Sequence, residues 1–236
     1  MTARPLARVW ITRAEPGASR TAARLEAMGL TPIVRPLLAI QPLNPPVPDL
    51  ARFDALAFTS VNSVAAFCAL TPQRHRPVFA VGDATAEAAR KAGFASVASA
   101  DGDLAALGRL IAGRLDGAAV LAPQAETPAG DLGLALAQAG AGHVIVSTLP
   151  VYRADPTPAA SPPAFEAVLI HSPRAAILLA QRPDSPVVHA VVACISAAAA
   201  APFRAKGLTP VIAATPDETA LLTILKAALG KRDPAV

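Results

Sequence analysis

The chain has 236 residues, enough for one large or two small domains, and 53% of them are hydrophobic, so each half can bury a core. The formal net charge is only +4, with scattered arginines and no basic run or interleaved aromatic series, which argues against nucleic-acid binding. No apolar run approaches the roughly 20 residues that cross a bilayer. The first residues also lack an apolar signal core, so we expect a soluble, cytoplasmic protein.

Apolar runs and turn residues predict strands and helices in alternation along the whole chain. Strands are predicted at Val9–Thr12, Thr31–Ile40, Ala55–Phe58, Val78–Val81, Ser96–Ala98, Ala119–Leu121, His143–Ser147, Leu149–Ala154, Ala167–Ile170, Val187–Ile195 and Val211–Ala213. Helices are predicted at Gly17–Met28, Val61–Ala69, Ala84–Ala92, Leu104–Leu115, Gly130–Gln138, Ala175–Gln181, Ala197–Ala205 and Glu218–Leu229. Strict alternation of apolar strands with helices is typical of parallel sheets covered on both faces.

The sequence contains an internal repeat. Phe53–Ser60 resembles Phe165–Ser172, and Val78–Gly93 resembles Val191–Gly207. An earlier segment, residues 9–30, resembles residues 119–141 in the same way. A period this long predicts two copies of one βα domain, which would face each other across a cleft where ligands usually bind.

Two proline-rich connectors, Gln41–Pro48 and Asp155–Pro163, suggest where the domains begin and end. If residues 42–149 form one inserted domain, residues 1–36 must pair with residues 154–236. Residues 37–41 and 150–153 would then be linker strands that pair as a two-stranded ribbon. We therefore expect an α/β protein with two similar doubly wound parallel-sheet domains, of which the first is discontinuous.

Several common functional patterns are missing from the sequence. It has no G-x-G-x-x-G after a strand, no phosphate-binding G-x-x-x-x-G-K-[ST] and no G-x-S-x-G elbow. Cys68 and Cys194 lie in apolar contexts, so they are expected to be buried free thiols, and no metal-ligand spacing involves them. His171 ends a strand, where an isolated histidine more often has a structural role.

Polar residues recur where predicted strands end. The carboxyl edge of an open α/β sheet faces the ligand crevice, and helix N-termini there suit carboxylates. For any single position helix capping is the better explanation, but recurrence in both repeats favours binding for the set. This set consists of Arg13, Thr59, Ser60, Gly82, Thr85, Ser172, Arg174 and Ser196.

Tyr152 is the only tyrosine, and it lies on the second predicted linker strand. Its phenol could donate a proton to a ligand. It could equally be an amphipathic residue that packs against the linker. The residues alone leave both interpretations open.

Four motifs, in this order and within the duplicated framework, resemble the uroporphyrinogen-III synthase family. They are Ile11–Pro16 (ITRAEP), Phe58–Val64 (FTSVNSV), Val81–Ala86 (VGDATA) and Val151–Arg153 (VYR). The resemblance implies two α/β domains joined by a two-stranded ladder, with the first domain discontinuous. It implies closure of hydroxymethylbilane, a linear tetrapyrrole rich in carboxylates, to uroporphyrinogen III with ring D inverted and water released. No cofactor or metal is implied.

The resemblance also assigns residues by position. Tyr152 matches the tyrosine proposed to assist hydroxyl departure as a general acid. Substrate-binding positions in the two domains correspond to Thr59, Ser60, Ser63, Gly82, Thr85, Ser172 and Ser196. The enzyme would act mainly by holding a flexible substrate bent, as a monomer in transient contact with the upstream deaminase.

One alternative remains open from the sequence. Ile195–Ala200 lacks the glycine and two threonines that the family usually has at that place. The chain could therefore be a degenerate, non-catalytic two-domain module that binds a tetrapyrrole or another small anionic ligand.

Overall fold

The computed structural model describes residues 6–158, 160–182 and 186–231. The chain divides into two compact units. The discontinuous unit comprises residues up to Ala39 and residues from Asp155 onward, and the continuous unit comprises Ile40–Ala154. No helix in the described part of the chain is both long and apolar enough to cross a membrane.

Strands and helices alternate along the chain. The strands are β1 (Arg8–Ile11), β2 (Thr31–Val34), β3 (Leu38–Pro42), β4 (Ala55–Phe58), β5 (Val78–Ala80), β6 (Val97–Ser99), β7 (Ala119–Ala125), β8 (Ile145–Pro156), β9 (Ala167–Ile170), β10 (Val191–Cys194) and β11 (Val211–Ile212). The helices are α1 (Gly17–Ala27), α2 (Val61–Leu70), α3 (Asp83–Lys91), α4 (Leu104–Ala112), α5 (Leu132–Gln138), α6 (Pro173–Ala180), α7 (Ala197–Arg204) and α8 (Glu218–Lys231).

The discontinuous unit contains a five-stranded parallel sheet in the order β11-β10-β9-β1-β2. On one face, Val9 and Ile11 of β1 pack against apolar side chains of α1 and α8. Trp10 points to the other face because side chains alternate along a strand. It is fully buried, and its indole N–H donates to the carbonyl oxygen of Arg35 at 2.8 Å. Burial on both faces explains why these strands are continuous apolar runs.

The continuous unit contains a six-stranded sheet in the order β3-β8-β7-β4-β5-β6. The five strands from β8 to β6 pair in parallel. One face carries an aromatic cluster in which Phe58 contacts Phe67 edge-on and Phe94 in a tilted arrangement, with ring centroids 5.8 and 5.9 Å apart. The other face is covered by α4 and α5.

The two sheets share one plan, and it is consistent with the internal repeat of the sequence. The order β2-β1-β9-β10-β11 corresponds strand by strand to β8-β7-β4-β5-β6. The register agrees as well, because Val9 pairs with Ala167 and Val120 pairs with Ala55. This correspondence places Gln124 at the position equivalent to Arg13.

β3 and β8, the two chain segments that lead from one unit to the other, are neighbours in the sheet. The N–H of Leu43 donates to the carbonyl oxygen of Val151 at 2.9 Å, and that of Thr157 donates to Leu37 at 3.0 Å. Since residue numbers rise on one segment as they fall on the other, the two run antiparallel.

Some predicted element boundaries were wrong. The predicted strand Val187–Ile195 begins only at Val191, because Pro186–His189 forms a short 3-10 turn. An apolar run of this length has no periodicity that separates a strand from a helical turn. The predicted helix Gly130–Gln138 begins at Leu132, since the Asp131 carboxylate caps it by accepting from a backbone N–H.

The two cysteines are free thiols, as expected. Cys194 is buried, and burial raises the pKa of its thiol to about 12. Cys68 is only partly buried, and there too burial raises the pKa.

Candidate active site

Three serines follow parallel strands and begin the next helix in the same way. The side-chain oxygens of Ser60, Ser172 and Ser196 accept hydrogen bonds from backbone N–H groups three residues ahead, at 3.0, 3.2 and 3.3 Å. Each serine is extended and precedes α2, α6 or α7. Helix capping therefore accounts for one acceptor site on each oxygen, and the remaining hydrogen-bonding capacity of Ser172 and Ser196 can serve a ligand.

In the continuous unit the structure brings Tyr152, Ser60 and Ser63 together. The Tyr152 hydroxyl lies 3.1 Å from the Ser60 hydroxyl, which in turn lies 3.2 Å from that of Ser63. The Ser63 hydroxyl donates to the backbone carbonyl oxygen of Ser60 at 2.8 Å. Three of the residues predicted from the sequence thus form one chain of hydroxyl groups.

Counting donors and acceptors in this chain assigns the protons. Ser63 uses its only hydroxyl proton on the backbone of Ser60, so it accepts the proton of the Ser60 hydroxyl. Ser60 then has no proton left for Tyr152, and Tyr152 must be the donor in their contact. The Tyr152 oxygen keeps free lone pairs.

A β-bulge sets the direction of the Tyr152 side chain. Gln124 pairs with Pro150 and Ala125 pairs with Tyr152, so Val151 is an extra residue on β8. In a regular strand the neighbouring side chains of Val151 and Tyr152 would point to opposite faces of the sheet. The bulge returns the phenol to the face that carries the aromatic cluster, where Tyr152 is 9% exposed.

Gly82 and Thr85 lie on the neighbouring strand-to-helix connection. Gly82 precedes α3 with an extended backbone that any residue can adopt. A Cβ atom there would meet only the carbonyl oxygen of Gly102, at 3.9 Å. Packing does not require this glycine, so the missing side chain leaves the carboxyl edge of the sheet open. Thr59 is half-buried beside it, and Thr85 is almost fully buried in the first turn of α3.

In the discontinuous unit Arg13 is not free, because it forms an ion pair with Glu218. Its Nη1 atom donates to Oε2 of Glu218 at 2.9 Å. The same oxygen lies 3.0 Å from Nε2 of His171, and Oε1 accepts from the Thr21 hydroxyl at 2.7 Å. We call these four residues the Glu218 cluster.

The pKa values in the Glu218 cluster follow from burial and from these bonds. Burial alone would raise the pKa of Glu218, but the contacts with His171 and Thr21 and the charge of Arg13 outweigh it and bring it to about 2. Burial lowers the pKa of His171, and the charge of Arg13 adds to that. His171 is therefore neutral near pH 7, with its proton on Nε2 directed at the carboxylate.

This tautomer leaves Nδ1 of His171 as a buried acceptor. In the part of the chain that the structure describes, no group donates to it. His171 occupies the place in its repeat that Thr59 occupies in the other, directly after a strand. A strand-ending histidine was expected to be structural, and its contact with Glu218 confirms that it has a partner.

Sequence reasoning missed Glu218 and Thr21. Glu218 lies in the first turn of α8, where acidic residues are common for reasons of helix stability alone. Its partner Arg13 is 205 positions away. No local pattern links two residues at that separation.

One cavity of the continuous unit lies away from these residues. It has a volume of about 530 Å³ and is lined by residues 128–133 together with Gln124, Val146 and Thr148. None of the predicted site residues lines it. Within the described ranges no group of three or more His, Cys, Asp or Glu could hold a metal ion.

Comparison with protein-family models decides the family. The model described as "Uroporphyrinogen-III synthase HemD" matches residues 19–223. The chain belongs to this family. Tyr152, His171 and Glu218 fall inside the matched range, whereas Arg13 lies just before it. Comparison with curated protein sequences gave no match.

Solved structures of uroporphyrinogen-III synthases have the same fold. The synthase of Helicobacter pylori 26695 is 18% identical with a TM-score of 0.62, over 95% of this chain and 100% of that one. A mutant synthase of the extremely thermophilic bacterium Thermus thermophilus is also 18% identical with a TM-score of 0.57, over 95% of this chain and 99% of that one. The resemblance inferred from the four sequence motifs is confirmed.

Proposed function

We propose that this protein is a uroporphyrinogen-III synthase, a cyclising lyase of tetrapyrrole and heme biosynthesis. It closes hydroxymethylbilane to uroporphyrinogen III with inversion of ring D and releases water. The match of residues 19–223 to the family carries the proposal. The hydroxyl chain around Tyr152 supports it chemically.

We further propose that Tyr152 is the general acid for departure of the substrate hydroxyl. Its proton, directed at Ser60 in the resting structure, turns to the leaving oxygen as the carbon–oxygen bond breaks and water forms. The Ser60 proton can then turn from Ser63 to the developing phenolate and stabilise it. The substituted carbon of ring D carries no hydrogen, so its attack gives a spiro intermediate without loss of a proton. When this intermediate fragments and recloses through the unsubstituted alpha carbon of ring D, the proton lost from that carbon restores the phenol, and the proton balance closes.

Most of the rate enhancement would come from orientation. Unassisted closure gives the type I isomer, so the enzyme must hold ring D so that its substituted carbon attacks first. We propose that the helix N-termini after Thr59, Gly82, Ser172 and Ser196 bind substrate carboxylates, because free N–H groups and the helix dipole favour negative charge there. Thr85 would support the Gly82 turn, whose carbonyl oxygen accepts its backbone N–H at 3.1 Å.

The cellular setting is also a proposal. We propose a cytoplasmic monomer that receives its substrate through transient contact with the upstream deaminase. It would require no cofactor, since the tetrapyrrole itself supplies the electron pairs for each bond made and broken.

An isomer assay tests the proposed function. Hydroxymethylbilane is generated in situ, the protein is added, and the oxidised products are separated into type I and type III porphyrins. We expect type III to dominate. Only type I, formed at the rate seen without protein, would refute catalysis and leave the non-catalytic binding module.

A further inference from the structure

We propose that Glu218 is a positioning residue that holds the guanidinium of Arg13 in one orientation, so that the free N–H edge of Arg13 binds one carboxylate of the substrate. The inference rests on the proposed function and adds to it a specific anion-binding site on the discontinuous unit. His171 helps to fix the Glu218 carboxylate, and Gly17 leaves room beside the Arg13 guanidinium.

The carboxylate of Glu218 is held by three donors from three parts of the fold. These are Nη1 of Arg13 in the segment after β1, the Thr21 hydroxyl on α1, and Nε2 of His171 directly after β9. A carboxylate fixed by Thr21 and His171 cannot follow a moving arginine. Glu218 therefore orients Arg13 rather than only neutralising it.

Arg13 has donors to spare. A guanidinium offers five N–H groups, and among residues 6–158, 160–182 and 186–231 only Nη1 of Arg13 has a hydrogen-bond partner. Its Nε and Nη2 atoms form the planar edge that matches the two oxygens of a carboxylate. The Arg13 side chain as a whole is 31% exposed, so part of it is in contact with solvent.

Gly17 keeps this edge open. A Cβ atom at Gly17 would lie 2.3 Å from Nε and 2.6 Å from both Cζ and Nη2 of Arg13. Gly17 is the first residue of α1 and is buried. The absence of a side chain at Gly17 thus leaves room at the Nε and Nη2 edge of Arg13, on the side away from Glu218. The N-terminus of α1, where the helix dipole is positive, lies beside the same edge.

Geometry rather than net charge makes this a carboxylate site. The other charges that act on Arg13 are Arg20 and Glu15, which have opposite signs. Glu15 is itself engaged with the backbone N–H and hydroxyl of Ser19, at 3.0 and 2.9 Å. A bidentate guanidinium edge is therefore the feature that selects a planar carboxylate, whose single charge is shared by two oxygens, over a simple anion.

A second Arg–Glu pair in the same unit serves as a matched control. Arg8 and Glu166 are joined at 2.8 Å, with both side chains 44% exposed. They lie at the amino ends of β1 and β9, opposite the edge where Arg13 lies. Glu166→Gln removes the same kind of ion pair without touching the proposed site.

The experiment measures KM, kcat, the type III fraction and Tm for the full-length protein and its variants Glu218→Gln, Gly17→Ala and Glu166→Gln. We expect KM to rise about 10-fold in Glu218→Gln, the loss of one oriented charge-assisted contact, with a much smaller change in kcat. Gly17→Ala should raise KM similarly, because the added methyl group displaces the end of the Arg13 side chain. Tm should fall only slightly, since that end is flexible and alanine favours helix. Glu166→Gln should leave KM as in the wild type.

A purely structural role predicts something else. Glu218→Gln would then lower Tm and the active fraction but leave KM unchanged, and Gly17→Ala would have wild-type kinetics. Either result overturns the proposal, and Gly17→Ala decides it if Glu218→Gln does not fold.

Failure of the proposed function gives a separate signal, because the wild type would then form no type III product. In that case the same variants are compared for binding of uroporphyrin III, followed by the fluorescence of Trp10. Weaker binding by Glu218→Gln and Gly17→Ala than by Glu166→Gln would support the carboxylate site. Equal binding by all three would overturn it.

Discussion

Replacing Tyr152 with Phe tests the proposed acid directly. The ring stays in the aromatic cluster, so no cavity forms, and Ser60 keeps its capping bond to Ser63. The variant loses one hydrogen bond of 3.1 Å, which costs about 1 kcal/mol of unfolding free energy. For a chain of this size, that lowers Tm by about 2–4 °C.

The effect on turnover should be larger than the effect on stability. Loss of a general acid typically costs about 100-fold or more in rate. We expect kcat to fall about 100-fold, which corresponds to about 2.7 kcal/mol of activation free energy. The loss should not be larger, because substrate orientation does not depend on the phenol. KM should be unchanged, and the type III fraction should fall as spontaneous closure begins to compete.

Initial rates of uroporphyrinogen formation, with isomer separation, measure this effect. Ser60→Ala should slow turnover about 10-fold, since it removes the group that steadies the phenolate. Asp103→Ala is the matched control, because Asp103 caps α4 through the same kind of bond at 2.9 Å and does not contact Tyr152. Wild-type kcat in Tyr152→Phe would refute the assignment, as would equal losses in Ser60→Ala and Asp103→Ala.

Three further predictions concern other parts of the molecule. Gly82→Ala should leave Tm unchanged, since its Cβ meets only one atom at 3.9 Å, yet lower type III formation several-fold by covering an N–H group; an unchanged rate would remove Gly82 from the site. Folding lowers the pKa of His171 from 6.5 and that of Glu218 from 4.5 to about 2, so the unfolded chain binds more protons in acid. The free energy of unfolding should therefore have its full value above about pH 6.5 and fall as the pH decreases. In urea titrations the variant Glu218→Gln should lack the part of this fall that occurs below about pH 4.5. Identical pH profiles for the variant and the wild type would contradict this expectation. In the native protein Cys68 should react with a thiol reagent while Cys194, buried with a pKa of about 12, should react only on unfolding; equal native rates would contradict the burial argument.

The sequence predicted the parts of the fold that depend on local order. Alternating apolar strands and helices, the repeat, and serine caps such as Ser60 and Ser172 all depend on residues within a few positions of each other. The capping interpretation and the binding interpretation could not be separated at that level, because the same oxygen can serve both. The predicted ends of strands were wrong where an apolar run such as Val187–Ile195 has no alternation of apolar and polar residues.

The site chemistry depended on contacts that only the folded chain makes. Tyr152 reaches Ser60 across 92 positions, and it faces the right side of its sheet only because a bulge changes the alternation by one residue. Glu218 reaches Arg13 across 205 positions, because parallel strands bring their carboxyl ends to one edge. Composition and periodicity determine which segments become strands and helices, whereas long-range pairing and register decide which polar side chains meet.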